Sequence, residues 1–390
     1  MNNIYPAIVI PAYNRASTLK RLLDSLSRAN FPAGVDVPLI ISIDPENGAP
    51  NPDVLNLAKS FVWAHGRKEV KIHEAHLGML KNFYYCGGLT KIYPAIIYLE
   101  DDLFLSPAFY EFARKAHEFY QDDVRIAGVS LYAYHFNGYH HFPFTPIEDG
   151  ADVYFAQIMS ILGQSWTEAQ WSQFLQWDQT RASETDFVEK ELHDIWGTFA
   201  EDEYFPLQMK YLASTNRYYV FPRVSLTTGF GDRGVHFDSA TSYFQVPLQG
   251  NQSIFRFRAF ENANAVYDSF MELSPERFER LVPALRGMSF DVDLNATKKP
   301  HHFKAEYVLT TRACAESRQT FALSMFPAEA NVLNQIAGLG ITFAPRSAVK
   351  WGRRSDLQAR FRLHEYYQRG LTGWIKTFKQ LFWNLFRWLA

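Results

Sequence analysis

The sequence predicts an α/β fold in which a mostly parallel β-sheet carries helices on both faces. Strand-like apolar runs alternate with amphipathic helical patterns along roughly the first 130 residues, which is typical of parallel strands joined by right-handed crossover helices. One apolar run, at 95–99, is followed by three consecutive carboxylates, Glu100, Asp101 and Asp102. Because ligands of open α/β sheets bind at the carboxyl ends of the strands, we expect these carboxylates at the functional edge.

The elements of the sheet follow in order from local patterns. Residues 7–10 and 39–43 are apolar, β-rich strands, and a helix is predicted between them from about Ser17, whose side chain can cap it. Leucines at positions 19, 22, 23 and 26 recur on one face of that helix. The remaining predicted elements are helices at 53–65, 77–90, 107–120 and through Leu212, with strands at 70–72, 126–131 and from 218.

The pattern changes near residue 250, and we predict three regions along the chain. Residues 1–250 are the main α/β domain, 251–345 an accessory α/β region, and 346–390 a basic tail that ends in an amphipathic helix. In the accessory region the predicted elements are a strand at 305–310, a helix at 326–337 and a strand at 339–343.

The tail is basic, although the chain as a whole is not. Residues 346–390 hold ten Lys/Arg and two Asp/Glu, a balance of +8, whereas the other residues hold 29 and 39, a balance of −10. Within 371–390, bulky apolar side chains gather on one side of a helical wheel and basic ones on the other, which is typical of a helix lying in a membrane interface. Its charge favours an anionic lipid surface. The alternatives are a helix docked on the protein's own core and an oligomer contact.

The composition excludes several classes of protein. The chain has 390 residues, 47% of them hydrophobic, so it can bury a large core and is not disordered. Its net charge of −2 provides no general attraction to nucleic acid. Its two cysteines, Cys86 and Cys314, have no metal-binding spacing. No signal-peptide pattern and no long apolar span is present, so we expect a cytoplasmic protein, peripheral on the inner face of the cell membrane.

The carboxylate triplet predicts a metal. Three adjacent negative charges repel one another, so we expect a cation to neutralise them, and oxygen ligands near a phosphate site suit Mg²⁺ or Mn²⁺. The alternative is a solvated turn that caps the helix near Pro107, but Ser106 can already serve as that cap. The triplet therefore indicates a metal-dependent enzyme with a phosphorylated substrate.

Three motifs, taken together in their order, carry a family resemblance. Val-Ile-Pro-Ala-Tyr-Asn-Arg at 9–15, Ile-Ser-Ile-Asp at 41–44 and Tyr-Leu-Glu-Asp-Asp at 98–102 resemble the nucleotide-sugar half of a GT-A glycosyltransferase. The first motif is similar to family-two inverting transferases, and the triplet to the Golgi N-acetylglucosaminyltransferase that starts complex N-glycans. The resemblance covers roughly residues 4–237 and implies a Rossmann-like GT-A fold with a donor half at 1–130 and an acceptor half at 131–250.

The resemblance implies a role for each donor-side residue. It makes Asp102 the metal ligand and assigns Asp101 and Glu100 to the ribose or to the metal's water. Arg15 would contact the uridine diphosphate, which its planar charged fork suits, and Asp44 would accept a hydrogen bond from the uracil. Considered alone, Arg15 is more simply explained as a surface arginine and Asp44 as a turn residue.

The acceptor half has an acidic run, Glu201, Asp202 and Glu203. It is similar to a Glu-Asp pair of family-two enzymes, and this match makes Asp202 the base that removes the acceptor hydroxyl proton during inverting transfer. Glu203 is the second choice. The alternative is that acidic residues simply sit favourably at a helix N-terminus.

A glycine-rich segment at 229–236 resembles the loop that closes over the donor in the same Golgi enzyme. The resemblance implies that Arg233 contacts the phosphates and that His236 is a second metal ligand. A glycine-rich turn between two strands would explain the segment equally well.

We therefore predict a metal-dependent inverting glycosyltransferase. Its donor is a UDP-sugar, with UDP-N-acetylglucosamine the leading choice, and its acceptor is a glycan or lipid-linked molecule of the cell envelope. One alternative, a sugar-nucleotide nucleotidyltransferase, needs a Gly-rich, Lys/Arg-containing signature after the first strand, which residues 11–15 lack. The other is a non-catalytic glycan- or lipid-binding protein on a transferase scaffold, which would not need the whole set of site residues.

Overall fold

A computed structural model describes residues 3–139, 142–180, 191–200, 202–232 and 244–351, together with Phe378 and Phe382. The chain up to Val349 forms one compact unit, and a second begins at Lys350. The strands are β1 (Ala7–Ala12), β2 (Leu39–Ile43), β3 (Lys68–Ile72), β4 (Ala95–Tyr98), β5 (Leu103–Leu105), β6 (Ile126–Ser130), β7 (Phe136–Asn137), β8 (Phe142–Pro143), β9 (Val153–Ala156), β10 (Gln164–Thr167), β11 (Tyr218–Pro222), β12 (Thr227–Gly229), β13 (Val266–Tyr267), β14 (Phe290–Asp293), β15 (Tyr307–Thr310), β16 (Gln319–Phe321) and β17 (Ile341–Pro345). The α-helices are α1 (Ala16–Leu26), α2 (Pro52–Ser60), α3 (Gly78–Gly88), α4 (Phe109–Tyr120), α5 (Glu168–Thr180), α6 (Phe205–Thr215), α7 (Pro275–Leu281) and α8 (Glu329–Leu333).

Within the described chain, nine strands form one mixed sheet in the order β13-β9-β11-β6-β10-β4-β1-β2-β3. β1 pairs in parallel with both β2 and β4, and β2 pairs in parallel with β3. β10 lies antiparallel between β4 and β6, so the sheet is mostly rather than wholly parallel. The predicted α/β class is confirmed.

Helices cover both faces of this sheet, as predicted. Ile8 and Ile10 of β1 pack in a core with side chains of α1, α2 and α4. Ala7 and Val9 pack in a second core with side chains of α3, α5 and α6. Because successive side chains of a strand point to opposite faces, a strand buried on both sides has no polar alternation. This is why the central strands appear in the sequence as continuous apolar runs.

The two predicted helix caps differ from the structure. Arg15, not Ser17, precedes α1 as its N-cap residue, and no side chain caps that helix. The helix starts earlier than predicted, so Ser17 lies inside its first turn. Ser106 is not the N-cap residue of α4, but its Oγ accepts a hydrogen bond from the Ala108 N–H at 3.0 Å just before that helix.

A second sheet of four strands in the described chain has the order β14-β15-β17-β16. It lies in the region predicted as accessory, although β13, from the same region, joins the central sheet beside β9. The helix predicted at 326–337 is shorter, because Gln335 adopts a left-handed backbone with φ of 52° that the helix cannot continue through. The division into domains stays a prediction.

Of the predicted membrane-interface helix, the structure describes Phe378 and Phe382, which are helical and exposed. The other residues of 371–390 lie outside the described part of the chain. Among the residues that are described, no helix is both long and apolar enough to span a bilayer.

Candidate active site

The predicted donor residues meet at one edge of the central sheet. β1 lies between β2 and β4 in parallel pairing, so the carboxyl ends of all three strands share that edge. Arg15 follows β1, Asp44 follows β2, and the triplet follows β4. This is the arrangement that the order of the sequence motifs predicts.

Arg15 clamps two of the three carboxylates. Its Nη1 lies 2.9 Å from Asp102 Oδ2, and its Nη2 pairs with Asp101 Oδ1. Burial disfavours the charge on Arg15, but the two carboxylates outweigh this effect and raise its pKa. Burial also raises the pKa of Asp101 to about 6, although Arg15 opposes the shift. The guanidinium therefore supplies a positive charge directly between two of the three carboxylates.

Glu100, the remaining carboxylate of the triplet, contacts a residue of the predicted acceptor half. Its Oε1 accepts a hydrogen bond of 2.7 Å from the Tyr204 hydroxyl. The Tyr204 ring is fully buried and stacks on Phe83, with ring centroids 4.2 Å apart. Burial, with a further contribution from the charge of Asp102, raises the pKa of Glu100 to about 8. The surroundings of Glu100 therefore favour its protonated form more than water does.

Asp44 fixes the start of α3. Its two carboxylate oxygens accept hydrogen bonds from the Leu77 N–H at 2.8 Å and the Gly78 N–H at 2.9 Å. Gly78 has a φ of 73°, a conformation that favours glycine. His76 Nδ1 lies 3.1 Å from Asp44, and the His76 ring is 5.3 Å from that of Tyr13. Asp44 thus positions the first turn of α3, while its Oδ1, which accepts only the Leu77 bond among these contacts, keeps a further lone pair.

The residue that follows the acidic run contacts the triplet. Asp202 is exposed, Glu203 is half-buried, and Glu201 lies outside the described residues. Both described acids immediately precede Tyr204, whose hydroxyl contacts Glu100 across 104 positions of sequence. The fold therefore links the start of α6, directly after the predicted base segment, to Glu100.

The start of the glycine-rich segment lies next to the strand that follows the triplet. β12 pairs antiparallel with β5, with Gly229 opposite Leu103, so this segment begins beside the residue that follows the triplet. The Arg21 guanidinium pairs with Asp232 and lies 4.2 Å from the centroid of the Phe230 ring. The predicted phosphate contact Arg233 and metal ligand His236 lie outside the described residues.

Sequence reasoning missed Tyr204 and Arg21. Neither belongs to a recognisable motif, and the aromatic content of 16% gives tyrosines no individual signal. For Tyr204 the available hint was its position directly after the acidic run. For Arg21 there was none, because its partners lie more than 200 positions away.

The carboxylates of the triplet can provide part of a divalent-cation site. No group of three His, Cys, Asp or Glu side chains within the described ranges forms a ready cation cage. Mg²⁺-type ions, however, are commonly held by one or two carboxylates together with water and substrate phosphates. Asp102, half-exposed with Asp101 behind it, provides such a partial site. The donor set fits a cation that binds together with a diphosphate.

No protein-family model and no curated protein matches the sequence. Among solved structures, the chain is similar to TarS 1-349 from S. aureus, with 13% identity over 59% of this chain and 61% of that one, and a TM-score of 0.37. It is also similar to GalNAc-T7 with UDP, GalNAc and Mn²⁺, with 16% identity over 57% of this chain and 43% of that one, and a TM-score of 0.39. A third is the mannosyltransferase PcManGT from Pyrobaculum calidifontis in complex with GDP-Man and Mn²⁺, with 12% identity, coverages of 43% and 46%, and a TM-score of 0.29.

These neighbours are glycosyltransferases, the class that the sequence motifs resemble. The matches span between 43% and 61% of their chains.

Proposed function

We propose that the protein is a metal-dependent inverting glycosyltransferase that uses a UDP-sugar, with UDP-N-acetylglucosamine as the leading donor. The observation that carries the proposal is the clamp in which Arg15 bridges Asp101 and Asp102 at the carboxyl edge of the sheet. The Arg15 guanidinium can bind diphosphate oxygens, and the half-exposed Asp102 beside it can bind the metal ion.

On the donor side, each residue has a separate task. Asp102, supported by Asp101, would hold Mg²⁺ or Mn²⁺, and the bound ion would neutralise charge on the leaving diphosphate. Arg15 offers its planar fork to phosphate oxygens. Asp44 would accept a hydrogen bond from the uracil, and Glu100, held by Tyr204, would address the ribose or the metal's water.

On the acceptor side, Asp202 is the proposed base. It is exposed, so an acceptor hydroxyl can reach it, and it lies two positions before Tyr204, which contacts the triplet. Removing the hydroxyl proton as the oxygen attacks the sugar carbon is the step that inverting transfer requires. Glu203 is the second candidate, and Arg233 and His236 are proposed to complete the phosphate and metal contacts.

The proposed acceptor is a glycan or lipid-linked molecule of the cell envelope. The support is the basic, amphipathic segment at 371–390, which would hold the enzyme on the anionic inner face of the cell membrane. A cytoplasmic, peripheral location follows from the same segment.

The test is a panel of UDP-sugars with Mn²⁺, scored by released UDP, together with calorimetric binding of UDP. Asp102→Asn should abolish metal-dependent UDP binding. The matched control is Asp24→Asn, which changes an exposed carboxylate of α1 that is paired with Lys20, and it should bind as the wild type does. If no nucleotide binds to the wild-type protein, the proposal is wrong and a non-catalytic scaffold is favoured.

Asp202→Asn separates binding from chemistry. It should leave UDP binding intact and lower the transfer rate by about 10²–10⁴-fold, the usual contribution of a general base. If Asp202→Asn keeps full activity while Glu203→Gln loses it, the base is Glu203.

A further inference from the structure

The two ends of the Arg15 guanidinium meet carboxylates in different surroundings. Nη2 pairs with Asp101, whose side chain is 6% exposed, and Nη1 lies 2.9 Å from Asp102, whose side chain is 30% exposed. The Arg15 side chain is 35% exposed. The inner contact is therefore shielded from water, whereas the outer contact lies at the surface of the site.

The two contacts differ in how readily they break. Removing the partner of a buried charge leaves that charge uncompensated and costs far more than opening an ion pair in water. The contact with Asp101 therefore keeps the guanidinium in place, whereas the contact with Asp102 can be exchanged for another partner. Asp102 is also the proposed metal ligand, so Arg15 and a cation compete for the same carboxylate.

We propose that Arg15 makes metal binding depend on the nucleoside diphosphate. Without nucleotide, Arg15 occupies Asp102, and a divalent cation binds weakly. When a diphosphate enters, Nη1 of Arg15 exchanges Asp102 for a phosphate oxygen, which its fork suits equally well, and Asp102 becomes available to the cation. This inference rests on the proposed function, because both ligands must meet at this edge.

The exchange has a consequence that can be measured without turnover. Two ligands whose binding is coupled strengthen each other by the same factor, so UDP should tighten Mn²⁺ binding as much as Mn²⁺ tightens UDP binding. Direct contact between cation and diphosphate contributes to this factor in any protein. The share due to Arg15 is the part that disappears when Arg15 is replaced.

The experiment measures Mn²⁺ affinity with and without saturating UDP, using the electron paramagnetic resonance signal of free Mn²⁺. In Arg15→Met, Mn²⁺ alone should bind more tightly than in the wild type, by about tenfold, a size within the usual range of couplings between sites. UDP alone should bind more weakly, and the ratio of the two Mn²⁺ affinities should shrink. The control Lys20→Met removes an equal charge from an exposed position of α1. It should change neither the Mn²⁺ affinity, nor the UDP affinity, nor the ratio of Mn²⁺ affinities with and without UDP.

Because Arg15→Met leaves the buried Asp101 without its cation, Arg15→Lys is measured beside it, with circular dichroism as the check on folding. A single ammonium group cannot hold both carboxylates as the guanidinium fork does. Arg15→Lys should therefore also bind Mn²⁺ more tightly than the wild type, but by a smaller factor than Arg15→Met. If both variants fold and keep the wild-type Mn²⁺ affinity and the wild-type coupling between Mn²⁺ and UDP binding, the inference is overturned. Failure of the wild-type protein to bind UDP with Mn²⁺ would instead count against the proposed function.

Discussion

Glu100, Asp101 and Asp102 are consecutive in the chain, yet each meets different surroundings. Glu100 is held by a buried tyrosine, Asp101 is buried against Arg15, and Asp102 shares Arg15 at the surface. Burial raises the pKa of Glu100 to about 8 and that of Asp101 to about 6. The three acids of the triplet thus differ in their surroundings, and Asp102 at the surface is the one exposed to a ligand.

We predict that Tyr204→Phe destabilises the protein and slows transfer. The ring keeps its stacking on Phe83, but Glu100 loses its hydrogen-bond donor, and an unsatisfied buried partner costs about 1–3 kcal/mol. The free energy of unfolding, from urea titration, and the rate of UDP release measure the two effects. Tyr84→Phe is the matched control, since its hydroxyl also donates to a carboxylate, that of Asp178 at 2.6 Å, and it should leave the transfer rate unchanged. A Tyr204→Phe protein with wild-type stability and rate would contradict the prediction.

Glu329 gives a prediction for the pH dependence of stability. Its side chain is buried in α8, and burial raises its pKa from 4.5 to about 7. The folded state therefore holds this proton more tightly than the unfolded chain does, so the group lowers the free energy of unfolding as pH rises from 4.5 to 7. Glu329→Gln should gain stability relative to the wild type across this window, by at most about 3 kcal/mol. The exposed Glu316 provides the control, because Glu316→Gln should show no such trend.

At the scale of elements, short pairings bring distant segments to the site. β5, directly after the triplet, pairs with β12, which leads into the glycine-rich segment. Asp44, after β2, holds the first turn of α3. The segments after β4 and after β2 are thus tied to neighbouring elements, the first by strand pairing and the second by hydrogen bonds to the Asp44 side chain, which restricts how far the site can deform.

Packing of α3 against α5 gives a prediction about stability. A Cβ atom on Gly87 would overlap the buried Trp171 indole, whereas one on Gly88 would meet nothing within 4 Å. Gly87→Ala should therefore lower the free energy of unfolding by about 1–3 kcal/mol, the usual cost of overpacking a core. Gly88→Ala is the matched control, and it should be neutral or stabilise by up to about 1 kcal/mol because alanine favours helix. Equal denaturation midpoints for the two variants would show that α3 does not pack on Trp171 in this way.

At the scale of the whole molecule, the candidate site residues and the excess of basic residues lie in different parts of the chain. The described site residues fall between Arg15 and Asp232, within the compact unit that ends at Val349, whereas the basic excess lies in 346–390. We expect the first part to bind the donor and the tail to bind the membrane.

Deleting residues 371–390 should release the protein from membranes to the soluble fraction, because the apolar and basic faces are lost together. Sedimentation with anionic and with neutral vesicles measures the change, and UDP binding with Mn²⁺ serves as the control that the site is intact. Undiminished binding of the shortened protein to anionic vesicles would refute a role for the tail as membrane anchor.

The sequence by itself determined which residues stand at the carboxyl ends of the strands. Strand patterns and strand ends are local properties, so the positions of Arg15, Asp44 and Asp102 at one edge could be predicted from apolar runs and their order. The predicted cap at Ser17 was wrong, because a shift of two residues in the position of a helix cap depends on local geometry that patterns do not resolve.

Which of these groups touch one another depends on tertiary contacts between distant parts of the chain. The bond from Tyr204 to Glu100 joins residues 104 positions apart, and the fork of Arg15 bridges two carboxylates more than 80 positions away. Such contacts depend on sheet order and on burial, and burial in turn sets the pKa values. Three neighbouring acids of the sequence therefore have, in the folded protein, three different surroundings: Glu100 is bonded to a buried tyrosine, Asp101 forms a buried ion pair, and Asp102 is half-exposed.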